Sequence, residues 1–366
     1  MNLEGLYNLF GEGGAAAICG LAIGLMYGAL AQRSQFCMRA AVLEYTRGTV
    51  GPKFAVWLLG FGVAVTGTQM LIASGSLDVS ESRQLAAQGS LSGAVIGGLL
   101  FGAGMVLARG CASRLLVLSA TGNLRALISG LILTIVAQAS FRGGLSPLRE
   151  WLSGLWTIGG DVSRDLHIIL GVGGIESSLF GTGFIILALV LAVRNRIGGF
   201  RMAGAIGIGA IIPLGWFLTY SIASQSFDPI SVKSISFIGP SADTLMGIIN
   251  QPTLPPVFDL GLIPGVFAGS FVASALSRDF KFQCFSIENS PMPRYIIGAV
   301  LMGFGGMLAG GCAVGAGMTG TAVFSLTAWI ALVSMWAGGV ITDSLVDRRR
   351  EKDAESVPVN MTETAQ

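Results

Sequence analysis

Two cysteines in this 366-residue chain lie near the ends of two copies of one short motif. Cys111 lies in GAGMVLARGCA (residues 102–112) and Cys312 in GFGGMLAGGCA (residues 303–313), and seven of the eleven positions are identical. One offset of 201 residues relates every matched pair, so the motif belongs to a larger duplication. A third thiol, Cys37, follows the run SQF at residues 34–36. These three cysteines are the first candidates for a functional site.

The pattern of thiols argues against several kinds of chemistry. The five cysteines include no CxxC pair, so neither a disulfide framework nor a spaced zinc cluster fits them. A redox relay would need adjacent thiols, and a Cys–His nucleophile is disfavoured because the one histidine, His167, lies in a separate segment. Dispersed thiols could bind Cu(I) with help from thioethers at Met105, Met307 and Met318. We expect no enzyme, no cofactor and no resident metal.

An anion path fits the residues around the thiols better. Small residues follow each Gly-Cys pair and can start a half-helix, whose free N–H groups attract anions. Gly110 and Gly311 precede the two motif thiols, and Arg39, Arg109 and Arg114 can add positive potential, although Arg109 could equally serve only membrane orientation. An S–H group is a weak donor, which suits a soft, sulfur-bearing anion better than sulfate. The thiols would have to stay protonated, because thiolates repel anions.

Composition places these thiols in a membrane protein. Hydrophobic residues make up 52% of the chain and charged residues 11%, with a mean hydropathy of +0.72, whereas soluble domains carry about 25% charged residues. The 54 glycines lie inside apolar runs, as in closely packed membrane helices. A net charge of +2 is too small to indicate a nucleic-acid partner, and residues 1–13 lack the basic start of a cleavable signal peptide. We expect an all-α, polytopic protein surrounded by lipid.

Nine apolar segments are long enough to cross about 30 Å of hydrocarbon. The fifth is short, and the segments run roughly over 14–31, 54–74, 91–108, 123–140, 180–193, 202–222, 261–277, 295–310 and 324–342. Placing the C-terminal tail in the cytoplasm puts 17 of the 22 Lys and Arg residues on that side. The positive-inside bias therefore predicts an external N-terminus and a cytoplasmic C-terminus.

The same offset relates whole spans. It carries the second, third and fourth spans onto the seventh, eighth and ninth. We divide one transmembrane domain, 1–345, into repeat A (about 14–140), a connector with an insert (141–200) and repeat B (about 202–342), followed by a polar tail at 346–366. Five spans separate equivalent elements, so the two copies should face opposite ways, as in inverted-repeat transporters.

Four segments with small or polar residues are not apolar enough to cross the bilayer. Two carry the motif cysteines, one carries Cys37, and the fourth has Ile238 at the position that the offset pairs with Cys37. Such backbone is tolerated at membrane depth only where protein or water satisfies it. We expect four inward-folding half-helix loops, and three thiol stations along a path rather than four.

The remaining features have simpler interpretations. The insert at 141–178 holds Trp151, Trp156 and His167 and is predicted to form a periplasmic interfacial cap. Cys19 lies inside the first span among small apolar residues and is interpreted as a packing residue. Cys284 lies in a cytoplasmic loop outside the repeat frame and is interpreted as incidental.

Together these segments resemble the YeeE/YedE family of bacterial inner-membrane proteins, which includes thiosulfate uptake transporters. The resemblance rests on SQFC (34–37), ARGC (108–111), SFIGPSA (236–242) and GGCA (310–313), and it covers roughly 15–345. It implies a pseudo-symmetric, hourglass-like fold of nine spans with essential cysteines, which here are Cys37, Cys111 and Cys312. It also implies that thiosulfate passes between the thiols through hydrogen bonds, without large rocking. Some relatives work beside a TusA-like sulfur carrier, and others are linked to selenium.

The expected function is therefore import of thiosulfate, or a closely related sulfur-containing anion, across the inner membrane. The alternative is a membrane thiol protein that hands sulfur or selenium to a cytoplasmic carrier through persulfide intermediates. A structural membrane scaffold is a third class, for which deletion would give no sulfur phenotype.

Overall fold

A computed structural model describes residues 4–160, 163–226, 230–250, 252, 254–283 and 292–348, with side chains from residue 10 onward. Helices dominate it, with π-helical turns at Gly315–Gly320 and Asp343–Asp347 and one pair of two-residue strands, β1 (Gly89–Ser90) and β2 (Thr157–Ile158). In chain order the helices are α1 (Glu4–Ser34), α2 (Met38–Thr46), α3 (Pro52–Ala73), α4 (Arg83–Ala86), α5 (Leu91–Leu107), α6 (Ala112–Ala120), α7 (Leu124–Arg142), α8 (Ser146–Gly154), α9 (Leu166–Leu170), α10 (Gly174–Arg194), α11 (Gly199–Ala223), α12 (Ile238–Asn250), α13 (Phe258–Leu276), α14 (Met292–Leu308) and α15 (Leu326–Thr342).

Each of the nine predicted spans coincides with a long helix of the described chain, so the prediction of an all-α polytopic membrane protein is confirmed. These helices are α1, α3, α5, α7, α10, α11, α13, α14 and α15. Eight helical segments of the described chain have the length and apolar composition of a membrane span, three of them counted together with the short helical segment that follows, while α14 has 17 residues. The expectation of a short fifth span is wrong, because α10 has 21 residues and begins at Gly174, where the Glu176 carboxylate accepts from the Gly173 N–H.

The long helices pair in a pattern that the two halves share. Helix α1 packs on α13 as α3 packs on α11, and α5 packs on α15 as α7 packs on α14. Contacts between α1 and α11 and between α5 and α14 join the halves directly. The 201-residue offset matches α1, α3, α5 and α7 with α11, α13, α14 and α15, in that order. Replacing each helix by its match turns the α1–α13 pair into the α11–α3 pair, and the α5–α15 pair into the α14–α7 pair. This is the packing expected of a duplicated unit.

Glycines bring α1 and α13 into direct backbone contact. Each helix carries three glycines at four-residue spacing, on the face that meets the other helix: Gly20, Gly24, Gly28, Gly261, Gly265 and Gly269. A Cβ atom at any of these positions would collide with a backbone carbonyl oxygen of the facing helix. In lipid, where helices gain little from burying apolar surface, such close approach is a main source of association. This packing fixes the position of α1, which carries Tyr27, the central residue of the site described below.

The insert at 141–178 forms hydrogen bonds with residues of the membrane domain in addition to covering it. The exposed side chains of Trp151 and Trp156 suit an interfacial position. The Leu326 N–H donates to the Arg164 carbonyl at 2.9 Å. His167 Nε2 lies 2.7 Å from Gln69 Oε1, and the Gln69 amide donates to the Ala322 carbonyl at 2.7 Å. The insert thus reaches the segment that follows the Gly315–Gly320 turn, which an interfacial cap alone does not explain.

Helical backbone extends beyond the first and last predicted spans. Helix α1 begins at Glu4 but is broken at Gly11 (φ 70°), so its continuous part starts close to the predicted residue 14. Helical backbone continues through Asp347, which forms an ion pair with Arg294 at 2.6 Å, so residues 346 and 347 belong to the folded domain rather than to the polar tail. Residues 349–366 and Cys284 lie outside the described residues.

Candidate functional site

The three candidate thiols are presented by one repeated backbone arrangement. Each cysteine lies two residues after a residue in the left-handed region: Gln35 (φ 56°), Arg109 (φ 56°) and Gly310 (φ 79°). Cys37 and Cys111 are the N-cap residues of α2 and α6, and the Cys312 carbonyl accepts from the Ala316 N–H at 2.8 Å. A long helix therefore stops, reverses through one left-handed residue, and starts a short helical segment at the thiol.

Hydrogen bonds explain how the two Gly-Cys turns hold this shape. The Gly110 N–H donates to the Met105 carbonyl at 3.1 Å, and the Gly311 N–H donates to the Gly306 carbonyl at 2.9 Å. These are the six-to-one bonds of a Schellman cap, which satisfies the carbonyls left over at a helix C-terminus. A left-handed conformation costs a residue with a side chain roughly 1–2 kcal/mol, so Arg109 carries strain that Gly310 avoids. The predicted supporting roles of Gly110 and Gly311 thus have a backbone reason.

The fold brings the thiols to the middle of the molecule. Cys111 and Cys312 are 2% and 1% exposed, and Cys37 is half-buried. Cys37 and Cys111 lie close enough to interact with each other electrostatically, and Cys111 Sγ lies 3.4 Å from Ser113 Oγ. The Gly315 N–H donates to Cys312 Sγ at 3.3 Å. The sequence offered no adjacent thiols, but the tertiary structure makes Cys37 and Cys111 neighbours.

Tyr27 stands between the two turns. Its hydroxyl lies near Ser113, and the side chain is close enough to all three thiols to interact with them electrostatically. The side chain is 1% exposed, and its ring packs on Phe237 with centroids 5.0 Å apart. Sequence reasoning missed this residue. The available signal was a hydroxyl-bearing side chain in the middle of the apolar first span.

The fourth inward segment places an apolar side chain where a thiol could have been. Ile238 is 1% exposed, and a Cβ on Gly306 would collide with its side chain. Helix α12 begins at Ile238, and the Ser241 N–H donates to the Phe237 carbonyl. The N-cap position of Cys37 is therefore taken by Phe237, one residue away from the partner that the 201 offset predicts. The loop preceding α12 is one residue out of the repeat register.

A water-accessible cavity of about 590 Å³, here called the vestibule, approaches the site from the side of the Cys312 turn. Ile238, Gly310 and Gly311 line its inner end. Its charged walls include Lys233 and Asp259, which form an ion pair at 2.6 Å. The vestibule thus reaches the backbone of the Cys312 turn without an excess of positive charge.

Positive side chains lie on the opposite side of the thiols. Arg39 and Arg114 are close enough to Cys37 to interact with it electrostatically. Arg109 is exposed and lines a separate cavity of about 180 Å³, which Asn123 and Arg125 also line. Of the three predicted arginines, Arg39 and Arg114 therefore flank a thiol, whereas Arg109 lies at the outer surface of its turn.

Arg294 is a second residue that sequence reasoning did not single out. Its Nε and Nη2 atoms donate to the carbonyls of Leu107 and Val106 at 3.2 and 3.3 Å, and its other partner is Asp347. It therefore connects α14 and the π-helical turn after α15 to the end of α5, which precedes Cys111. Its sequence signal was only that of one more cytoplasmic arginine.

The remaining site expectations concern metals and the other thiols. Among the described residues, no group of three or more His, Cys, Asp or Glu side chains could hold a metal ion. Cys19 is partly buried and packs against the core of apolar side chains, consistent with a packing role.

Comparison with known proteins identifies relatives over nearly the whole chain. The model of a family described as sulphur transport matches residues 33–341. The chain is 25% identical over 358 residues to the thiosulfate transporter TsuA of Escherichia coli (strain K12), covering 92% of this chain and 96% of that protein. It is 26% identical over 332 residues to the thiosulfate transporter TsuA of Spirochaeta thermophila, covering 86% of this chain and 94% of that protein.

Proposed function

Because the chain belongs to the sulphur transport family, we propose that it carries thiosulfate across the membrane along Cys312, Cys111 and Cys37. The observation that carries this proposal is the meeting of three thiols around Tyr27, between the vestibule and the positive side chains near Cys37. The names of the relatives support thiosulfate as the substrate.

The transport step uses hydrogen bonds rather than covalent chemistry. Each protonated thiol donates weakly to the terminal sulfur or an oxygen of the anion, and the Tyr27 hydroxyl adds a stronger donor. N–H groups at the starts of α2 and α6 add positive potential. Such interactions gain strength in a buried site because the dielectric constant is low. Several weak donors in sequence let an anion enter each station and leave it again.

Ile238 and Gly311 narrow the vestibule end of this path. The buried Ile238 side chain offers no hydrogen bond, so a sulfate ion there loses hydration without compensation. The soft terminal sulfur of thiosulfate is less strongly hydrated and loses less. A side chain at Gly311 would distort the Cys312 turn, because its Cβ would collide with the backbone nitrogen of Ala316. Arg109, at the opposite surface, attracts the anion toward the cytoplasm.

Charge asymmetry supports a direction and a location. The vestibule faces the periplasm and Cys37 faces the cytoplasm when the protein lies in a bacterial inner membrane with its N-terminus outside and its C-terminus inside. Transport is then inward, and a TusA-like cytoplasmic carrier is a natural consumer of the imported sulfur. Fusions of alkaline phosphatase and green fluorescent protein to the C-terminus test the orientation. Phosphatase activity there would contradict it.

The test of the thiol path is uptake of labelled thiosulfate into proteoliposomes. Cys37→Ser, Cys111→Ser and Cys312→Ala should each lower uptake at least tenfold, the factor for ~1.4 kcal/mol of lost anion stabilisation. Cys19→Ser is the matched control, because this thiol packs in α1 away from the turns, and it should transport normally. Normal uptake by all three path variants would overturn the proposal.

The contact between Cys37 and Cys111 favours a second candidate, a sulfur relay. The Cys37 thiolate would attack the terminal sulfur of thiosulfate, forming a persulfide S–S bond as the S–S bond of thiosulfate breaks. Sulfite would leave with the bonding electron pair, and the thiol proton would go to water. Mass spectrometry during turnover decides between the candidates, since the relay requires a 32-Da adduct on Cys37 or Cys111 and stoichiometric release of sulfite.

A further inference from the structure

A groove of about 190 Å³, here called the apolar groove, is lined by α7 and by the short helices α6 and α12. Aliphatic side chains make up most of its wall, and no charged residue of the described chain lines it. Leu127 and Leu131 line the groove from α7 and are exposed, so the groove opens to the surface of the protein. Gly130 also lines it, and a Cβ atom there would meet nothing within 4 Å. The groove is therefore an apolar depression in a surface that lipid surrounds.

A polar cavity adjoins this groove at the start of α7. It is the cavity of about 180 Å³ beside Arg109, and it shares the lining residues Leu115 and Ala126 with the groove. The charged side chains that line it within the described chain, Arg109 and Arg125, are both cationic. Arg125 Nη2 donates to Gln283 Oε1 at 3.3 Å, which holds the guanidinium beside the cavity. A positively charged compartment therefore continues into an apolar one.

On α7, the groove has the depth of one lipid leaflet. Arg125 is the second residue of this helix, and the residues of α7 that line the groove extend to Thr134. At about 1.5 Å per residue, the distance between them along the helix is about 14 Å, close to half of the ~30 Å of hydrocarbon in a bilayer. A cationic end and an apolar groove of this length match the phosphate and one acyl chain of a phospholipid. Basic pockets between membrane helices on the cytoplasmic side bind anionic lipid headgroups in other proteins.

We propose that the polar cavity and the apolar groove together bind one anionic phospholipid. Its phosphate lies beside Arg125, Arg109 adds positive potential from the same cavity, and one acyl chain fills the groove. A guanidinium group matches phosphate oxygens with two charge-assisted hydrogen bonds. The surrounding lipid is as apolar as the groove, so the headgroup supplies most of the preference and the acyl chain contributes packing contacts.

The bound acyl chain supports the short helices beside the thiols. Ala112, the residue after Cys111, lines the groove from the start of α6. Phe237, whose ring packs on Tyr27, lines it from the segment before α12. A chain in the groove therefore packs against both inward segments from the lipid side. Because the site exists only in the folded protein, the lipid stabilises the folded state by mass action. This binding does not depend on the proposed transport of thiosulfate and is measured without it.

The test of the headgroup site is titration of the purified full-length protein in detergent with dioleoyl phosphatidylglycerol and dioleoyl phosphatidylcholine, followed by native mass spectrometry. The anionic phosphatidylglycerol should bind about tenfold more tightly, as expected for hydrogen bonds to a charged group. Arg125→Gln should remove this preference, and Arg125→Lys should keep part of it. Arg201→Gln is the matched control, because Arg201 also lies in the first turn of a long helix but lines neither cavity. It should keep the preference.

The test of the groove is Gly130→Phe, which places a ring where the acyl chain lies. It should weaken binding of both lipids about tenfold or more, and it should abolish the rise in melting temperature that phosphatidylglycerol gives the unmodified protein. Gly183→Phe is the matched control, because a Cβ atom at Gly183 also meets nothing within 4 Å, but this residue lies on α10 and does not line the groove. It should bind both lipids as the unmodified protein does.

Each of three outcomes would overturn the inference. Equal affinity for the two lipids, or loss of the preference in Arg201→Gln as well, would remove the role of the polar cavity. Unchanged lipid binding in Gly130→Phe would remove the role of the groove. Displacement of phosphatidylglycerol by excess inorganic phosphate would show a site for a phosphate ion rather than for a lipid. Thiosulfate uptake enters none of these measurements, so failure here leaves the proposed function standing.

Discussion

Removing one oxygen atom from Tyr27 tests whether the centre of the site contacts the anion. Tyr27→Phe deletes the hydroxyl that lies near Ser113 and leaves the ring on Phe237. A neutral hydrogen bond contributes about 0.5–1.5 kcal/mol to stability, and Ser113 keeps its contact with Cys111. The free energy of unfolding should therefore fall by no more than about 1.5 kcal/mol. A hydrogen bond to a charged partner is worth about 1.5–3 kcal/mol, so the ratio of maximal uptake rate to half-saturating concentration should fall about tenfold to a hundredfold.

The assay is initial uptake of labelled thiosulfate, with thermal unfolding in detergent measured on the same preparation. Tyr45→Phe is the control, because Tyr45 is 56% exposed and its ring packs on Phe54 and Trp336. It should change neither quantity. Uptake by Tyr27→Phe equal to that of the unmodified protein would refute the placement of the anion beside this hydroxyl. A parallel loss of stability and uptake would instead assign Tyr27 a packing role.

Three further perturbations test the elements that position the site. Gly24→Ala forces a methyl group into the backbone of α13 and should destabilise the protein by about 1–3 kcal/mol, whereas Gly130→Ala, which meets open space, should be neutral in thermal unfolding. Arg294→Gln breaks a buried ion pair and two bonds to the end of α5, so it should cost about 3–5 kcal/mol and abolish uptake, and wild-type unfolding and uptake would contradict the role assigned to it. Burial raises the pKa of Asp165, but hydrogen bonds with His167 outweigh burial and hold this pKa below 3.8. The contribution of the Asp165 carboxylate to the stability of the folded protein is therefore complete above pH 3.8 and is lost as the pH falls through the lowered pKa. The melting temperature should therefore drop more steeply below pH 3.8 in the unmodified protein than in Asp165→Asn, and identical acid profiles would count against this contact.

Sequence patterns located the thiol turns because their signals are local. The Gly-Cys pairs at residues 110–111 and 311–312 end apolar runs, and the structure places a Schellman cap and a new helical start at each. The left-handed residue is not marked by glycine in every case, since Arg109 and Gln35 adopt it as Gly310 does. Glycine alone would have identified one turn of the three.

Other features depend on residues far apart in the chain, which no local pattern brings together. The register of the loop before α12 differs by one residue from the 201 offset, because loop length can change without disturbing the packed helices on either side. The insert at 141–178 looked peripheral, yet Arg164 donates to the Thr327 hydroxyl and the Leu166 N–H donates to the Phe324 carbonyl. Hydrogen bonds of this range leave no periodic trace in the sequence.

The sequence by itself determined the class of this protein, its spans, its duplicated motif and the three cysteines, because apolar length and a repeated motif are properties of contiguous residues. The tertiary structure alone decided that Cys37 and Cys111 are neighbours and that Tyr27 lies among the three thiols. The physical reason is that these contacts are made where α1 and the inward turns meet. Close helix packing at glycines, helix caps and ion pairs between distant segments bring these parts together. All of these interactions form at once only in the folded chain.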